Sequence, residues 1–505
     1  MYKFIKYISI YIKKLFFLNI SFFKKVISIF QVDNILFLKK SSQELLKLSR
    51  VTLPKKFFVL INSEVLNRGK LCVRKGDLVL RGQTLTLGCG NIVSIHSPTS
   101  GRIIDVINNY IFFLDQFFAV VIVESDGRDL WISRTPICNY TQFSSKKLIN
   151  LIYHSGILGL SGSGFSTSKK LQCAVGKVHT LVVNAVESEP CVTSDDCLIQ
   201  NFSKEIIDGC KILIWILKIK KILIVVSEEK IIAFNVLKKS VINLKDFELL
   251  KVKNKYPSGS SKKLIQILFN KEIPQGKHAI DLGIIMYNVA TVFAIKKAIL
   301  DGEPLTERVI TLYGDKFLPS KNVLVRIGTP ISHLMKIYKL NEKTLKVNIG
   351  GPITGLLIRN FNFSVLKTNN CIMFVSIQNN ELNNFEEKNC IRCAACSYSC
   401  PMNLLPEQLY WYSKHSNHEK TQIYNIQDCI ECGICEQVCP SDIPLMSYYR
   451  REKKQISIAK FKNYQIKKFK NLFLLRKQRL NNLNSRKKNT IVSQYIALNK
   501  FNFKV

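Results

Sequence analysis

Two stretches near the carboxyl end decide the class of this protein: CIRCAACSYSCP at residues 390–401 and CIECGICEQVCP at residues 429–440. Each has the spacing C-x2-C-x2-C-x3-C-P. Structural zinc sites use two cysteine pairs separated by a longer loop, whereas three thiolates at intervals of three wrap the chain around one corner of an iron–sulfur cubane. Two full copies of this spacing therefore predict two [4Fe–4S] clusters.

The fourth cysteine of each motif is expected to bind the other cluster, as in two-cluster ferredoxins. This crossed ligation predicts two ligand sets: Cys390, Cys393, Cys396 and Cys439 for cluster 1, and Cys400, Cys429, Cys432 and Cys435 for cluster 2. Two cubanes on so short a segment lie close together, which indicates one-electron transfer. A helix is predicted over 404–413, and its Tyr410, Trp411 and Tyr412 serve either packing or electron relay.

The other eight of the sixteen cysteines are scattered singly, which excludes a secreted disulfide framework and indicates a reducing compartment. The 505 residues include 74 Lys and Arg against 36 Asp and Glu, a net charge of +38. Three explanations fit such an excess of basic residues. They are a genome-wide drift of amino-acid composition without local function, binding to an anionic membrane or acidic partner, and binding to nucleic acid. Lysine is spread over every segment, which favours drift, and no nucleic-acid-binding motif is present, so no nucleic acid partner is expected.

Residues 1–50 form a basic amino-terminal extension. Lysines interrupt every apolar run, and the longest uncharged piece, Leu15 to Phe23, has nine residues. A membrane-spanning helix needs about 20 mostly apolar residues, and a signal peptide needs a cleavage site after its apolar core. We therefore expect neither, and an interfacial helix is the alternative to an unconstrained extension.

The whole chain is predicted to be a multidomain α/β protein. Residues 51–145 alternate in short runs broken by glycine turns, which predicts a β-sandwich module. It resembles biotinyl and lipoyl domains but lacks their carrier lysine. A β-grasp-like module that binds a soluble ligand is predicted for residues 306–375, and a mainly helical ferredoxin-type domain for residues 380–450. Residues 451–505 are predicted to form a basic, partly helical tail, with 16 Lys and Arg residues against one acidic residue.

Residues 146–305 alternate between helical and strand periods, which predicts an α/β layer with a mainly parallel sheet. Strands are expected at 179–185, 221–226 and 247–252, and a helix from Ser203 to Lys218. Ser227 is expected to cap a helix that runs to Ile242. A glycine-rich stretch with glycines at 156, 159, 162 and 164 follows a predicted helix at 147–153. The dinucleotide-binding fingerprint requires a strand before its glycines, so it does not apply here. The stretch is either a flexible turn or a loop that approaches a phosphate or flavin, with Lys169 or Lys170 nearby.

A family resemblance follows from the order of several phrases. GLSGSGFST (159–167), VVNAVESEP (182–190), KYPSG (255–259), YNVAT (287–291) and DGEPLTERV (301–309) precede the two cysteine motifs. This order resembles the C subunit of the Rnf/Rsx ion-translocating electron transport complex, a family that is itself similar to the flavin-bearing NADH-binding subunit of respiratory complex I. The resemblance covers residues 51–450.

The resemblance implies a peripheral subunit on the cytoplasmic side of the bacterial inner membrane, docked on membrane-embedded subunits. It implies an oxidoreductase and translocase subunit that carries electrons between NAD(H) and ferredoxin-type carriers, with FMN and two [4Fe–4S] clusters, coupled to ion translocation. Only a flavin among these cofactors converts a hydride into single electrons. The implied site residues are Gly159, Gly162, Gly164 and Phe165 at FMN and nicotinamide, Lys170 at a phosphate, Asn184, Glu187 and Glu189 near the flavin ring or nucleotide, and Asn288 and Thr291 at the flavin phosphate.

Five residues depart from the family pattern: Ser161, Ser163, Ser166, Val186 and Cys197. A Cβ in place of a glycine hydrogen narrows the approach to a phosphate and disfavours positive φ. The alternative function is therefore a non-catalytic iron–sulfur relay and docking subunit with a degenerate flavin pocket.

Overall fold

A computed structural model describes residues 45–61, 70–113, 116–162, 164–187, 189–314, 317, 320–341, 344–358, 360–376 and 387–501. Internal contacts divide the chain into two units. Unit 1 contains residues 1–386 and 432–440, and unit 2 contains residues 387–431 and 441–505. The described part of the chain contains no helix that is both long and apolar enough to span a bilayer.

The amino-terminal part of unit 1 is all β. Its strands are β1 (Leu48–Arg50), β2 (Lys56–Ile61), β3 (Leu78–Val79), β4 (Thr84–Thr86), β5 (Ile95–His96), β6 (Gly101–Phe113) and β7 (Gln116–Ser125). An antiparallel sheet has the order β2-β7-β6-β3, and β4 pairs with β5. Phe57, Val59 and Ile61 alternate inward along β2, as a sheet with one buried face requires. The predicted β-sandwich is confirmed.

A parallel sheet between helices forms the centre of unit 1. Its elements are α1 (Ser145–His154), α2 (Thr167–Ala174), β8 (Thr180–Ala185), α3 (Ser194–Leu217), β9 (Lys221–Ser227), α4 (Ile231–Val241), β10 (Phe247–Val252), α5 (Ser261–Phe269), β11 (Ile284–Asn288) and α6 (Val289–Leu300). All neighbours in the order β10-β9-β8-β11 are parallel. Helices cover both faces, which explains why β8 is buried along its whole length. The prediction of a mainly parallel sheet is confirmed.

Two helix starts in this layer differ from the sequence prediction. Ser227 is the last residue of β9 rather than a helix cap, because the next backbone N–H, of Glu228, still bonds to Val252 on the neighbouring strand. The helix begins at Ile231 instead. The helix predicted from Ser203 begins at Ser194 and is kinked at Phe202. Tertiary bonds, which a local pattern does not contain, move both boundaries.

The last sheet of unit 1 has the order β1-β13-β12-β16-β14-β15 and matches the β-grasp-like prediction in having short strands around one helix. Its further elements are β12 (Glu307–Gly314), β13 (Lys321–Arg326), α7 (Ile331–Ile337), β14 (Leu345–Ile349), β15 (Leu356–Ile358) and β16 (Cys371–Ser376). Strand β1 pairs in parallel with β13, so residues 48–50 form a sheet edge although the sequence analysis placed them in the extension. The extension up to residue 44 lies outside the described residues.

The carboxyl-terminal part of the chain is helical. Its helices are α8 (Ala395–Tyr398), α9 (Pro406–Lys414), α10 (His418–Ile423), α11 (Ile434–Gln437), which belongs to unit 1, and α12 (Leu445–Phe501). Helix α9 corresponds to the helix predicted over 404–413. Tyr410 is buried and its ring meets that of Tyr448 edge-on at 5.1 Å, which supports a packing role. Helix α12 is continuous where a partly helical tail was expected.

Gly209 lets α3 approach α6, the helix that carries two of the predicted site residues. A Cβ at Gly209 would lie 2.4 Å from the carbonyl oxygen of Val292. Because that neighbour is backbone, it cannot turn away as a flexible side chain would. The close approach fixes the spacing of the two helices.

We predict that Gly209→Ala destabilises the protein by about 1–3 kcal/mol through this overlap. Helix propensity alone predicts the opposite sign, since alanine is favoured over glycine by about 1 kcal/mol within a helix. Denaturant unfolding measures the difference. Lys204→Ala, at an exposed position of the same helix, is the control and should change stability by no more than about 0.5 kcal/mol. A stabilised Gly209→Ala variant would contradict the packing argument.

Candidate functional site

The candidate site lies at the carboxyl edge of the parallel sheet. From β8 the chain adds β9 and β10 on one side and then returns to add β11 on the other. Parallel α/β sheets bind ligands at such a reversal, beyond the carboxyl ends of the two strands that flank it. Asn184 in β8 is aligned with Asn288 at the end of β11, so the topology brings these two predicted residues together.

Both asparagine amides hold neighbouring loops at this edge. Asn184 Nδ2 donates to the carbonyl oxygen of Gly259 at 2.9 Å, which fixes the KYPSG segment. Asn288 caps α6 by accepting from Ala290 N at 2.9 Å, and its Nδ2 donates to the Asp195 carboxylate at 2.5 Å. The amides therefore join segments far apart in sequence into one rim.

The glycine-rich stretch forms a closed turn beside this rim. Gly159 N donates to the carbonyl oxygen of Phe165 at 2.8 Å, and Gly164 N donates to that of Gly159 at 3.3 Å. Gly162 and Gly164 have φ values of +99° and +60°, which disfavour a residue with a Cβ. A Cβ at Gly162 would meet open space, and Phe165 is about half exposed. The turn thus presents bare backbone to solvent, and Ser161 beside it is exposed. Ser163 lies outside the described residues.

Buried side chains attach this turn to the rest of unit 1. Thr291 Oγ1 accepts from Leu160 N at 3.1 Å, and Arg308 Nη2 donates to the Leu160 carbonyl oxygen at 3.2 Å. Lys367 Nζ donates to the carbonyl oxygen of Gly156 at 2.7 Å, at the start of the stretch. Burial lowers the pKa of Arg308 to about 10 and that of Lys367 to about 7. The turn is therefore held from beneath by two buried bases.

Lys170 lies beside β11. Its Nζ donates to the carbonyl oxygen of Met286 at 2.5 Å and stands 4.9 Å from the ring centre of Tyr287. Burial lowers the pKa of Lys170 to about 8. Ser166, one of the departures from the family pattern, caps α2 by accepting from Lys169 N at 3.4 Å. The serine at this position thus has a defined structural role.

Glu187 is buried before the start of α3. Its carboxylate accepts from Ser194 Oγ at 3.0 Å, from Asp195 N at 2.7 Å and from Asp196 N at 3.3 Å, and it pairs with Lys230. Burial opposes the charge on Lys230, but Glu187 and Asp196 raise its pKa above the usual value. The negative charge of Glu187 also satisfies N–H groups that the first turn of a helix leaves unpaired.

Asp195 shares this buried region. Burial, together with the nearby charge of Glu187, raises the pKa of Asp195 to about 7. The sequence alone does not identify Asp195, Lys230, Arg308 or Lys367 as site residues. A signal existed for one of them, since Arg308 is a lone arginine in an apolar strand within the phrase DGEPLTERV. The others are recognisable only through their partners in the fold.

Glu189 holds the loop between β14 and β15. Its Oε1 accepts from Ile353 N at 2.9 Å and from Thr354 N at 3.0 Å, and burial raises its pKa. The two glutamates that the resemblance places near the flavin or nucleotide are thus both engaged with backbone N–H groups.

Tyr256 links the rim to the second cysteine motif within unit 1. Its hydroxyl donates to the carbonyl oxygen of Cys432 at 2.6 Å. Tyr256 belongs to the KYPSG segment that Asn184 holds through Gly259. A Cβ at Gly433 would lie 3.1 Å from Ile353, in the loop that Glu189 holds. Residues 432–440 are therefore seated beside the edge of the parallel sheet.

Val186 and Cys197, two of the five residues that depart from the family pattern, lie in the core. Val186 is 5% exposed and packs in an apolar cluster with β8 and β9. Cys197 is fully buried in the first turns of α3, and burial raises the pKa of its thiol to about 12. Neither side chain protrudes into the open space at Gly162.

The two cysteine motifs have the same backbone path. Left-handed φ angles occur at Arg392 and Glu431, at Ala394 and Gly433, and at Asn403 and Asp442, and each pair is separated by the same 39 residues. The short helices α8 and α11 are offset by the same distance. Such turns point successive N–H groups inward, as loops around iron–sulfur clusters do.

Within unit 2 two of the cysteine thiols accept hydrogen bonds from nearby backbone N–H groups. Leu404 N donates to Cys400 Sγ and Glu431 N donates to Cys429 Sγ, each at 3.4 Å. Burial raises the pKa of Cys429, and Cys400 is close enough to raise it further, so thiols from different motifs are neighbours. Across the described residues no three His, Cys, Asp or Glu side chains converge on a single ion position. A cubane takes one thiolate at each iron, so its ligands stand further apart than those of one ion.

Comparison with known families finds three matching domains. The Nuo51 FMN-binding domain matches residues 152–297, the RnfC barrel sandwich hybrid domain matches 36–128, and the 4Fe-4S dicluster domain matches 389–443. The first contains the glycine turn and the sheet edge, and the last contains both cysteine motifs. The chain therefore combines an FMN-binding domain with a dicluster domain.

The curated proteins found to be similar in sequence, two of which follow, share one name. The C subunit of the ion-translocating oxidoreductase complex of Buchnera aphidicola is 45% identical over 85% of this chain and 90% of its own length. A protein of the same name from Erwinia tasmaniensis is 40% identical over 86% of this chain but only 54% of its own length. Among solved structures, an NAD+-reducing [NiFe]-hydrogenase covers 63% of this chain and 64% of its own at 14% identity, with a TM-score of 0.44.

We predict that Lys230→Met destabilises the protein by about 3–5 kcal/mol, because it leaves the buried carboxylate of Glu187 without its counterion. Denaturant unfolding measures the loss. Lys221→Met is the matched control, since Lys221 forms an exposed ion pair with Glu248 whose loss costs about 0–1 kcal/mol. Equal effects of the two substitutions would show that the buried pair does not organise this edge.

Proposed function

This chain belongs to the family formed by the C subunits of ion-translocating oxidoreductase complexes, and on that premise we propose that it passes electrons from NAD(H) through FMN to two [4Fe–4S] clusters. When bound, FMN exchanges a hydride as two electrons and the clusters take one electron at a time. The hydrogen bond from Tyr256 to Cys432 carries the proposal, because it connects the flavin-domain edge to a cluster motif.

The residues present fit a flavin phosphate. In our proposal the exposed backbone at Gly159, Gly162 and Gly164 lets the cofactor approach closely, with Phe165 covering it. The first turn of α6, at Asn288 and Thr291, offers N–H groups and a positive helix end to the phosphate. Lys170 adds positive charge beside β11. The match of residues 152–297 to an FMN-binding domain supports this assignment.

Asn184, Glu187 and Glu189 act in this proposal through the loops they hold. Asn184 positions the KYPSG segment, Glu187 positions the start of α3, and Glu189 positions the loop at 353–354. The contact of Glu187 is buried and those of Asn184 and Glu189 are partly buried, so the proposed rim around flavin and nicotinamide is pre-organised before NAD(H) binds. NAD(H) is the proposed substrate because the segments at 159–167 and 182–190 resemble those of the NADH-binding subunit of respiratory complex I.

We assign cluster 1 to Cys390, Cys393, Cys396 and Cys439, and cluster 2 to Cys400, Cys429, Cys432 and Cys435. The proximity of Cys400 and Cys429 supports the crossed pattern. In this assignment Tyr256 contacts the carbonyl group of a cluster 2 ligand. Cluster 2 is then the first to receive electrons from the flavin side.

The proposed setting is the cytoplasmic side of the bacterial inner membrane, as a peripheral subunit docked on membrane-embedded partners. There the electron transfer between NAD(H) and ferredoxin-type carriers would be coupled to ion translocation. The name of the relatives supports membership of an ion-translocating complex. The chain spans 54% of the Erwinia relative, so the activity of that longer protein is carried over only as a proposal.

Anaerobic mixing with NADH tests the electron path. The intact chain, loaded with FMN and both clusters, should lose flavin absorbance first and cluster absorbance second. Tyr256→Phe should slow cluster reduction roughly tenfold while flavin reduction stays unchanged, because the hydroxyl positions the Cys432 loop. Tyr449→Phe is the matched control, since its buried hydroxyl donates to a backbone carbonyl, that of Pro406, elsewhere.

Three results discriminate among the functions. Flavin that is retained but never reduced by NADH contradicts NAD(H) as the substrate. Clusters that can be reduced chemically in a chain that never retains FMN support the relay with a degenerate flavin pocket. Equal slowing by Tyr256→Phe and Tyr449→Phe would remove the proposed path through residues 256 and 432.

Electron paramagnetic resonance of single cysteine variants tests the crossed ligation. Cys400→Ser and Cys432→Ser should alter the same cluster signal, while Cys390→Ser alters the other, and iron should fall from about eight toward about four per chain. Uncrossed ligation would instead pair Cys400 with Cys390. Cys173→Ser, at an exposed position outside the motifs, should leave both signals and the iron content unchanged.

A further inference from the structure

The carboxyl-terminal helix α12 continues far beyond its packing contacts in unit 2. Glu452 and Ile456 are buried, but from Ser457 to Gln494 every side chain that the structure describes is exposed. A helix without tertiary contacts receives little stability from propensity alone, and its apolar side chains are left in water. Such a segment requires a partner.

Seven of its apolar residues repeat every 11 positions. One series is Ile458, Phe469, Leu480 and Ile491, and a second is Phe461, Leu472 and Leu483. All seven side chains are between 46% and 66% exposed. Eleven residues make three turns of about 3.67 residues, close to the 3.6 of a straight helix, so both series stay on one face for about 50 Å. We call this face the apolar stripe.

The charge of the same segment has one sign. Residues 457–494 contain eleven Lys and Arg and no Asp or Glu. By helical position, four basic residues fall on the stripe itself: Lys462, Arg476, Arg479 and Lys487. A protein groove would need a carboxylate opposite each of them, whereas at a bilayer surface long basic side chains extend to the headgroups while their stems stay apolar.

Other partners fit less well. A left-handed coiled coil repeats every seven residues and a right-handed one every 11, so the spacing alone permits the second. Such seams are usually flanked by both charge signs, however, and this segment has only basic residues. Nucleic acid would match the charge but not a 50 Å apolar face. The helix does not qualify as a membrane span. Low net hydrophobicity, an excess of basic side chains and a long apolar stripe are features of a helix that lies in a membrane interface.

We infer that α12, from about residue 457 onward, lies in the surface of an anionic phospholipid bilayer, with the apolar stripe among the acyl chains and its lysines and arginines at the headgroups. This inference rests on the proposed function for its setting at a membrane. Its chemistry depends on neither the flavin nor the clusters.

Vesicle co-sedimentation of the full-length protein tests the inference. Binding should be at least about tenfold tighter to phosphatidylcholine vesicles with about one third phosphatidylglycerol than to phosphatidylcholine alone, and it should weaken with salt. The triple variant Phe461→Ser, Leu472→Ser, Leu483→Ser should bind the anionic vesicles about tenfold more weakly or worse. The matched control is Tyr464→Ser, Leu474→Ser, Val492→Ser, whose positions lie off the stripe and are also exposed.

The control variant should stay within about twofold of the unchanged protein. Equal losses in both triple variants, or no preference for anionic vesicles, would overturn the inference. So would a protein that ignores vesicles and instead binds nucleic acid or an acidic protein. Circular dichroism with the vesicles checks that the variants keep their helix. NADH reduction of flavin and clusters, measured on the same samples, should be the same in all three proteins, so failure of the proposed function is recognised separately.

Discussion

The buried carboxylate of Glu187 is the constraint on which the site depends. It follows β8, the strand at which the sheet order reverses, and it binds both the first turn of α3 and the ammonium group of Lys230. A buried charge is costly unless it is paired and hydrogen-bonded, and here it is both. Because Glu187 holds the first turn of α3, Asp195 is in place to receive the amide of Asn288 across the sheet edge.

The site therefore has an exposed part and a buried part. The glycine turn presents backbone to solvent, while Thr291, Arg308 and Lys367 attach it from below. The sheet edge continues through Tyr256 to Cys432, so the proposed flavin-binding surface and a cluster motif share a rigid support. Electron transfer needs fixed distances more than motion, and a rim built of buried hydrogen bonds supplies them.

Much of this was predictable from sequence, and the reason differs by region. The cysteine spacing determines its chemistry because cluster ligation is local, and the sheet was predictable because strands covered on both faces are apolar throughout. The end of β9 at Ser227 and the edge strand at 48–50 depend on pairing with distant residues, so local patterns misplaced them. Lys230 and Lys367 resemble any other lysine in a lysine-rich chain until the fold buries them.

The central claim is that one chain holds both a flavin and two cubanes. Its most direct test is the iron and FMN content of the anaerobically purified chain after loading with both cofactors. We expect about eight iron atoms per chain and FMN equimolar with protein. About eight iron atoms without any retained flavin would contradict the proposed flavin site at the sheet edge. About four iron atoms with flavin present would contradict the proposal that the paired cysteine motifs hold two clusters.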